Sequence, residues 1–200
     1  MDESPSAVLT RRYADAVGYA CDVHATQVRK GTRVPYAAHL IGVSSLVLEA
    51  GGDEDIAIAA LLHDAAEDHG GESRLSDIEE RFGVRVAGIV RDCSDSLSPE
   101  GEEKDDWETR KHEHLARLAD APDDTLLVWM ADKVHNGRAI VTDLDAHGSE
   151  VLSRFHAAPD RILWYYETNL ALAEQRHVPG AILVPLRDAV SGLRARLGSR

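Results

Sequence analysis

Apolar residues recur along most of this chain at intervals of three and four, the spacing that lines them up on one side of an α-helix. Val8, Tyr13, Val17, Ala20 and Val28 follow it and predict a first helix from Ala7 to about Arg29, ended by Gly31. Pro35 suits the opening of a second helix, which carries Tyr36, His39, Leu40, Val43 and Val47 to the glycine pair at 51–52. Asp53 is placed to cap a third, DEDIAIAALLHDAAED, with Ile56, Ala59, Ala60 and Leu62 facing a core. Ser76 followed by Glu79 has the spacing of a capping box for a short helix that stops at Gly83. VRVAGIVRDCSD follows as a further helix; its β-branched residues would also suit a strand, but no partner strand is near in the sequence. Residues 98–106, SPEGEEKDD, are polar and predict a mobile surface loop. Helical spacing resumes from Trp107 to Leu118, Pro122 opens PDDTLLVWMADKVHNGRAIVTDL, and Gly148 sits in a break before the last helices. HVPGAILVP reads as a proline-bounded turn before an amphipathic stretch carrying Leu186, Val190, Leu193 and Leu197. The expectation is one all-α domain over residues 1–200, with a core over about 7–175 and a helical tail over about 180–200.

Composition narrows the function classes. Two hundred residues suffice to bury one sizeable core. The formal charge of −13 argues against a general nucleic-acid binder, since such proteins carry a basic surface, but it allows a small anionic ligand where basic residues cluster. The opening MDESPSAVLTRRY has no apolar core of signal-peptide length. No window reaches the roughly 18–20 apolar residues that span a bilayer, so no membrane role is expected. Cys21 and Cys93 are far apart and in no CxxC pattern, which supports neither a zinc knuckle nor a disulfide scaffold and suits a reducing cytoplasm.

One stretch departs from the pattern. AALLHDAAEDHG, residues 59–70, begins as a buried helix and then places His63, Asp64, Glu67 and Asp68 within two turns. Burying one unpartnered polar group costs about 2–7 kcal/mol, so four need a common explanation. Residues four apart share a helix face, which pairs His63 with Glu67 and Asp64 with Asp68. An adjacent His-Asp pair can offer one nitrogen and one oxygen to a divalent cation, a mixture that suits Mn, Fe, Zn or Ni better than Ca. A cation would also offset the mutual repulsion of the carboxylates. His39, flanked by apolar residues, and Asp132, set after the apolar run LLVWMA, are candidates for further ligands. Each also has an ordinary explanation: His39 as a hydrogen-bonded core histidine, Asp132 as half of an ion pair with Lys133 or Arg138.

The order His39, His63-Asp64, Glu67-Asp68, Asp132 resembles the HD-domain phosphohydrolases. The flanking words QVRKGTRVPYAAHL, AALLHDAAED, FGVRVAGIV, RK at 110–111 and MADKVHNGR resemble, more narrowly, the hydrolase domain of Rel/Spo-type proteins and the stand-alone small alarmone hydrolases. The resemblance runs over about residues 14–170. It implies an HD-domain helical bundle and a metal-dependent 3′-pyrophosphohydrolase of guanosine 3′,5′-bis(diphosphate)-type nucleotides. It further implies Mn2+ held by His39, His63, Asp64 and Asp132, with Glu67 and Asp68 activating or positioning the attacking water. A bound divalent cation acidifies water and polarises a phosphoryl oxygen, and a carboxylate one turn away can take the proton. Arg29, Lys30, Lys111, Lys133, Asn136 and Arg138 then correspond to positions that meet substrate phosphates or base, and Arg161 and Tyr165 to an Arg/Tyr pair over the nucleotide. Asp132 and Asn136 are one helical turn apart and share a face.

The implied partner is a purine nucleotide with a 3′ diphosphate, and no synthetase domain is expected after the hydrolase. His24, His69, His112, His114, His135 and His156 have no ligand correspondence and are expected as surface or capping residues. The three tryptophans are expected in core or edge packing. Departures from the family pattern fall at Leu40, where Pro is common, at Arg33, and at His69, where Thr is often seen. They leave the ligands intact and bear on the base pocket, so the adenosine analogue and NADPH stay open as substrates. A silent nucleotide-binding regulator is the reading from another class; retention of both Glu67 and Asp68 argues against it. No GxxxxGK, GxGxxG, HExxH or GxSxG pattern occurs.

Overall fold

The computed structural model describes residues 8–95, 97, 106–155 and 157–198. Within them the chain is helical throughout its regular elements, as the apolar spacing predicts, with one isolated antiparallel bridge, Val28–Pro35. The loop expected at 98–106 lies outside the described residues apart from Asp106, which caps the following helix by accepting from the Glu108 and Thr109 amides. The chain divides into two compact units, Met1–Lys104 and Asp105–Arg200, each with a helix that carries a continuous buried run.

The first unit holds α1 (Arg11–Val23), α2 (Ala37–Glu49), α3 (Glu54–Leu62), α4 (Ala65–Asp68), α5 (Gly71–Phe82) and α6 (Val84–Cys93). In α3 every residue from Ile56 to Leu62 is buried. A helix apolar all round must be enclosed, and α2, α6 and α1 enclose it. Ser44 of α2 donates to the Ala57 carbonyl of α3 and pairs with the Tyr13 hydroxyl of α1, each at 2.9 Å, so the polar groups at this contact are satisfied.

Three local expectations are corrected here. The first helix runs from Arg11 to Val23 rather than from Ala7 to Arg29. Residues 27–36 instead form a tight hairpin, with Arg29 N–H on the Val34 carbonyl and Tyr36 N–H on the Gln27 carbonyl. Gly31 turns at its tip with φ +73, a left-handed conformation that glycine adopts without steric cost. Val28, assigned to a core face by periodicity, is exposed on this hairpin. Secondly, α5 begins at Gly71, not at Ser76; the Ser76 hydroxyl bonds back to the Glu72 carbonyl inside the helix instead of capping it. Thirdly, the third helix is not continuous: α3 stops at Leu62 and one turn, α4, resumes at Ala65.

The second unit holds α7 (Trp107–Ala119), α8 (Asp123–His147), a 3-10 helix (Gly148–Arg154), α9 (Pro159–Gln175) and α10 (Gly180–Leu197). Thr125 to Val134 of α8 is an unbroken buried run, and α8 packs against α10, the 3-10 helix and α9. Pro122 precedes α8 and Gly148 ends it, as predicted. The turn expected at HVPGAILVP is confined to 177–179; α10 starts at Gly180 and contains Pro185, whose missing amide leaves the Ala181 carbonyl without its helical partner. Leu186, Val190, Leu193 and Leu197 are all buried. Gly137 lets α8 approach closely: a Cβ there would stand 3.0 Å from both the Ala189 Cβ and the Tyr166 ring.

Candidate metal centre

The break between α3 and α4 is where the ionisable residues fall. His63 follows the last residue of α3, and its Nδ1 lies 2.8 Å from the Ala60 carbonyl. A carbonyl only accepts, so Nδ1 carries a proton, and in the neutral ring Nε2 then holds the lone pair. That Nε2 lies 3.0 Å from Asp64 Oδ2. His39, on the first turn of α2, brings its Nε2 to 3.7 Å from the same oxygen, and the two rings meet nearly edge-to-face with centroids 5.3 Å apart. One ligand atom from each of His39, His63 and Asp64 lies within 4.8 Å of the others. Both histidines are buried, His39 completely. A lone-pair nitrogen facing a carboxylate oxygen becomes favourable when something electropositive lies between them. Two imidazoles and a carboxylate are the donor set of a transition-metal site, so these residues fit a divalent cation.

Neighbouring groups hold this cluster in place. The Tyr36 hydroxyl donates to Asp64 Oδ2 at 2.6 Å. Asp68 accepts at Oδ2 from Gln27 Nε2 at 2.8 Å. Burial, followed by the charge of Asp64, pushes the Asp68 carboxyl above the ordinary range, with the Gln27 bond opposing. Glu67 is held differently, with Oε2 accepting the Asp95 backbone amide at 2.8 Å. The two acids of the pair therefore have distinct supports.

The second unit gathers a second group of sequence-predicted residues. Asp132, nearly buried on α8, accepts from the Asn136 amide at 2.6 Å, the one-turn pairing expected from the sequence. It also accepts from Lys133 at 2.5 Å, so the ion-pair reading of Asp132 holds too. Burial works against the Lys133 ammonium, but the Asp132 carboxylate, together with Tyr165 and Tyr166, holds the lysine pKa well above its usual value. Lys133 Nζ lies 3.7 Å from the Trp129 ring centroid and 5.6 Å from that of Tyr165. Lys111 approaches the same Tyr165 ring at 5.4 Å. Arg161 pairs with Glu108, and Arg138 is exposed on α8. Arg29 and Lys30 stand on the 27–36 hairpin of the first unit.

Of the four expected ligands, His39, His63 and Asp64 are thus brought together in the first unit, while Asp132 belongs to the second. Three supporting residues carried no signal as such in the sequence: Tyr36, Gln27 and His24. Of the histidines expected as surface or capping residues, His24 is the C-cap of α1, though buried, while His114 is corrected: it is buried inside α7 and stacks on Trp129 with centroids 4.2 Å apart. His156 lies outside the described residues.

Comparison with known proteins decides the family. An HD-domain profile matches residues 16–157. The chain belongs to the HD-domain family. Among HD-domain relatives, the guanosine-3′,5′-bis(diphosphate) 3′-pyrophosphohydrolase MESH1 of Drosophila melanogaster is 35% identical over 130 residues, which are 64% of this chain and 68% of that protein. A probable guanosine-3′,5′-bis(diphosphate) 3′-pyrophosphohydrolase of Synechocystis is 30% identical over 68% of this chain, but the match spans only 17% of its length. A solved structure, of a metazoan ortholog of SpoT described as hydrolyzing ppGpp, superposes with a TM-score of 0.71 at 26% identity, covering 92% of this chain and 96% of that one.

Proposed function

We propose that this protein is a metal-dependent hydrolase that removes the 3′ diphosphate of guanosine 3′,5′-bis(diphosphate)-type nucleotides as pyrophosphate. The observation that carries the reading is the His39–His63–Asp64 donor cluster, with the His63 tautomer set by Ala60, on a chain 35% identical to a 3′-pyrophosphohydrolase. His39, His63 and Asp64 would hold the ion together with Asp132, and Mn2+ is the metal that the resemblance favours. Asp132 is included on the family resemblance; its two oxygens accept from Lys133 and Asn136. When bound, a divalent cation acidifies water and polarises the phosphoryl oxygen.

The remaining chemistry belongs to the side chains. Water adds to the phosphorus next to the ribose oxygen, the bond between that phosphorus and O3′ breaks, and pyrophosphate leaves with the 3′ hydroxyl restored. Asp68, whose raised pKa suits a proton acceptor, takes the proton of the attacking water, and Glu67 orients it. Arg29, Lys30, Lys111, Lys133, Asn136, Arg138 and Arg161 supply donors to phosphates and base, and Tyr165 packs against the nucleotide. The family profile running over residues 16–157, across the boundary of the two units, supports their acting as one hydrolase domain. The same reading puts the protein in the cytoplasm.

The test is pyrophosphate release from ppGpp by the Mn2+-loaded protein, with ppApp and NADPH alongside to read base preference. Release from ppGpp is expected, lost on chelation and in His63→Ala. A metal-loaded protein that releases none, or a His63→Ala variant that keeps the full rate, discards the proposal. For the fourth ligand Asp132→Asn is the better variant, since Asp132→Ala strands a buried ammonium at a cost of about 3–5 kcal/mol.

A further inference from the structure

Gln27 opens the hairpin after α1, far in sequence from α4, yet its side-chain amide meets three groups that come from both. Its Nε2 lies 2.8 Å from Asp68 Oδ2. Its Oε1 lies 2.5 Å from His24 Nδ1 and 2.9 Å from His69 Nε2. These partners determine which way the amide is turned. An ionised carboxylate only accepts, so the NH2 group faces Asp68 and the oxygen faces the two rings. Each ring must then present an N–H there, Nδ1–H on His24 and Nε2–H on His69.

The surroundings agree. His24 is buried, and burial pushes its pKa down, so the ring is neutral and carries a single proton. The bond to Gln27 uses that proton. His24 also stacks on Tyr36, with centroids 5.2 Å apart and planes at 28°, and meets His69 edge-on at 4.9 Å. Tyr36 in turn donates to Asp64. His24 is therefore fixed from two sides, and Gln27 is fixed by His24 and His69.

We propose that Gln27 is a positioning residue for Asp68: clamped at its oxygen by His24 and His69, its NH2 group engages Asp68 Oδ2 and leaves Oδ1 to take the proton of the attacking water. The inference rests on the role given to Asp68 above and extends it to three residues outside the ligand set. A rigid amide on one oxygen prevents the carboxylate from rotating, and catalysis by proton transfer depends on that geometry.

Gln27→Glu and Gln27→Met separate positioning from simple support. Glutamate keeps an oxygen for both rings but has no donor for Asp68; methionine loses both and adds no charge. With ppGpp and Mn2+, both variants are expected to lower kcat about 10- to 100-fold while KM stays within about threefold. Metal content should be unchanged in Gln27→Met, whereas in Gln27→Glu the added carboxylate beside Asp68 is expected to lower the melting temperature. If Gln27 only anchors the two rings, Gln27→Glu keeps the wild-type kcat and Gln27→Met alone loses it, which overturns the proposal. Asp68→Asn, measured in parallel, distinguishes the two levels. Loss of rate in Asp68→Asn with retention in Gln27→Glu refutes the role of Gln27 alone, whereas a full rate in Asp68→Asn refutes both. Nitrogen-15 spectra of the imidazoles in the metal-free protein give an answer independent of turnover. Protonated Nδ1 on His24 and protonated Nε2 on His69, both lost in Gln27→Met, support the clamp; the opposite tautomers overturn it.

Discussion

A carboxylate that is to bind a metal gains from being unable to turn away. Asp64 Oδ2 faces His63 Nε2 at 3.0 Å and accepts the Tyr36 hydroxyl at 2.6 Å, so the phenol fixes the carboxylate while the histidine lies beside it. Groups that orient metal ligands from behind commonly contribute a factor of about 10–100 in affinity. Tyr36→Phe removes the hydroxyl and leaves the ring that stacks on His24. The expected outcome is a Mn2+ affinity about 10-fold weaker by isothermal titration calorimetry, with the metal-free protein melting as before. An unchanged affinity would show that α2 and the α3–α4 break orient Asp64 without help. At this scale the proposed ligands were legible because their chemistry is written locally: a His-Asp pair, an acidic pair four residues on, and polar side chains inside apolar runs. Tyr36 and Gln27 were not, since their hydrogen bonds cross 28 and 41 residues and exist only once α2, α4 and the hairpin have come together.

Elements form where a local signal and tertiary packing agree, and the start of α3 shows both. Asp53 Oδ1 accepts the Ile56 amide at 3.1 Å, while its other oxygen takes Arg85 from α6 at 2.6 Å. Burial alone would raise the Asp53 carboxyl, but the Arg85 guanidinium and the Ile56 amide outweigh it and hold the group below its ordinary range. A folded-state pKa below the unfolded one gives stability that is present above the unfolded value and is lost as pH falls through the folded value. Asp53→Ala is therefore expected to cost about 1 kcal/mol at neutral pH by urea unfolding. The difference from the parent should close on acidification below about pH 4, once the carboxyl is protonated in both states. A gap that persists at low pH would assign the loss to something other than the ionised cap. This cap, the Pro122 and Gly148 boundaries of α8 and the buried face of α10 were all readable from the chain. The interruption at His63-Asp64 was not, because the run AALLHDAAED has good helical spacing throughout and the His63 ring takes the Ala60 carbonyl only in the folded state. Nor was the hairpin, where Val28 continues the helical periodicity of α1 by coincidence of spacing while Gly31 and the bridge to Pro35 turn the chain instead.

The molecule as a whole carries a formal charge of −13, and its proposed substrate is a nucleotide bearing two diphosphates. Two opposed effects act on that encounter, with different ranges. The distributed negative charge repels the ligand over a distance set by screening, about 30 Å at 0.01 M salt and about 10 Å at 0.1 M. Arg29, Lys30 and Arg33, within five residues of the hairpin, attract it only at contact. Raising the salt from about 0.01 M to about 0.1 M removes the long-range repulsion first, and approaching about 1 M, where screening acts over about 3 Å, begins to weaken the contacts as well. The equilibrium affinity for ppGpp should therefore pass through a maximum with ionic strength, measured on Asp68→Asn to prevent turnover. A general nucleic-acid binder loses affinity steadily over the same range, because counterion release dominates its binding. Lys30→Glu supplies the control: with part of the contact attraction replaced by repulsion, the maximum should move to higher salt or give way to a continuous rise. A steady loss of affinity from the lowest salt upward in the parent protein would mean that the ligand meets a local field governed by its cations, and that the net charge has no part in binding.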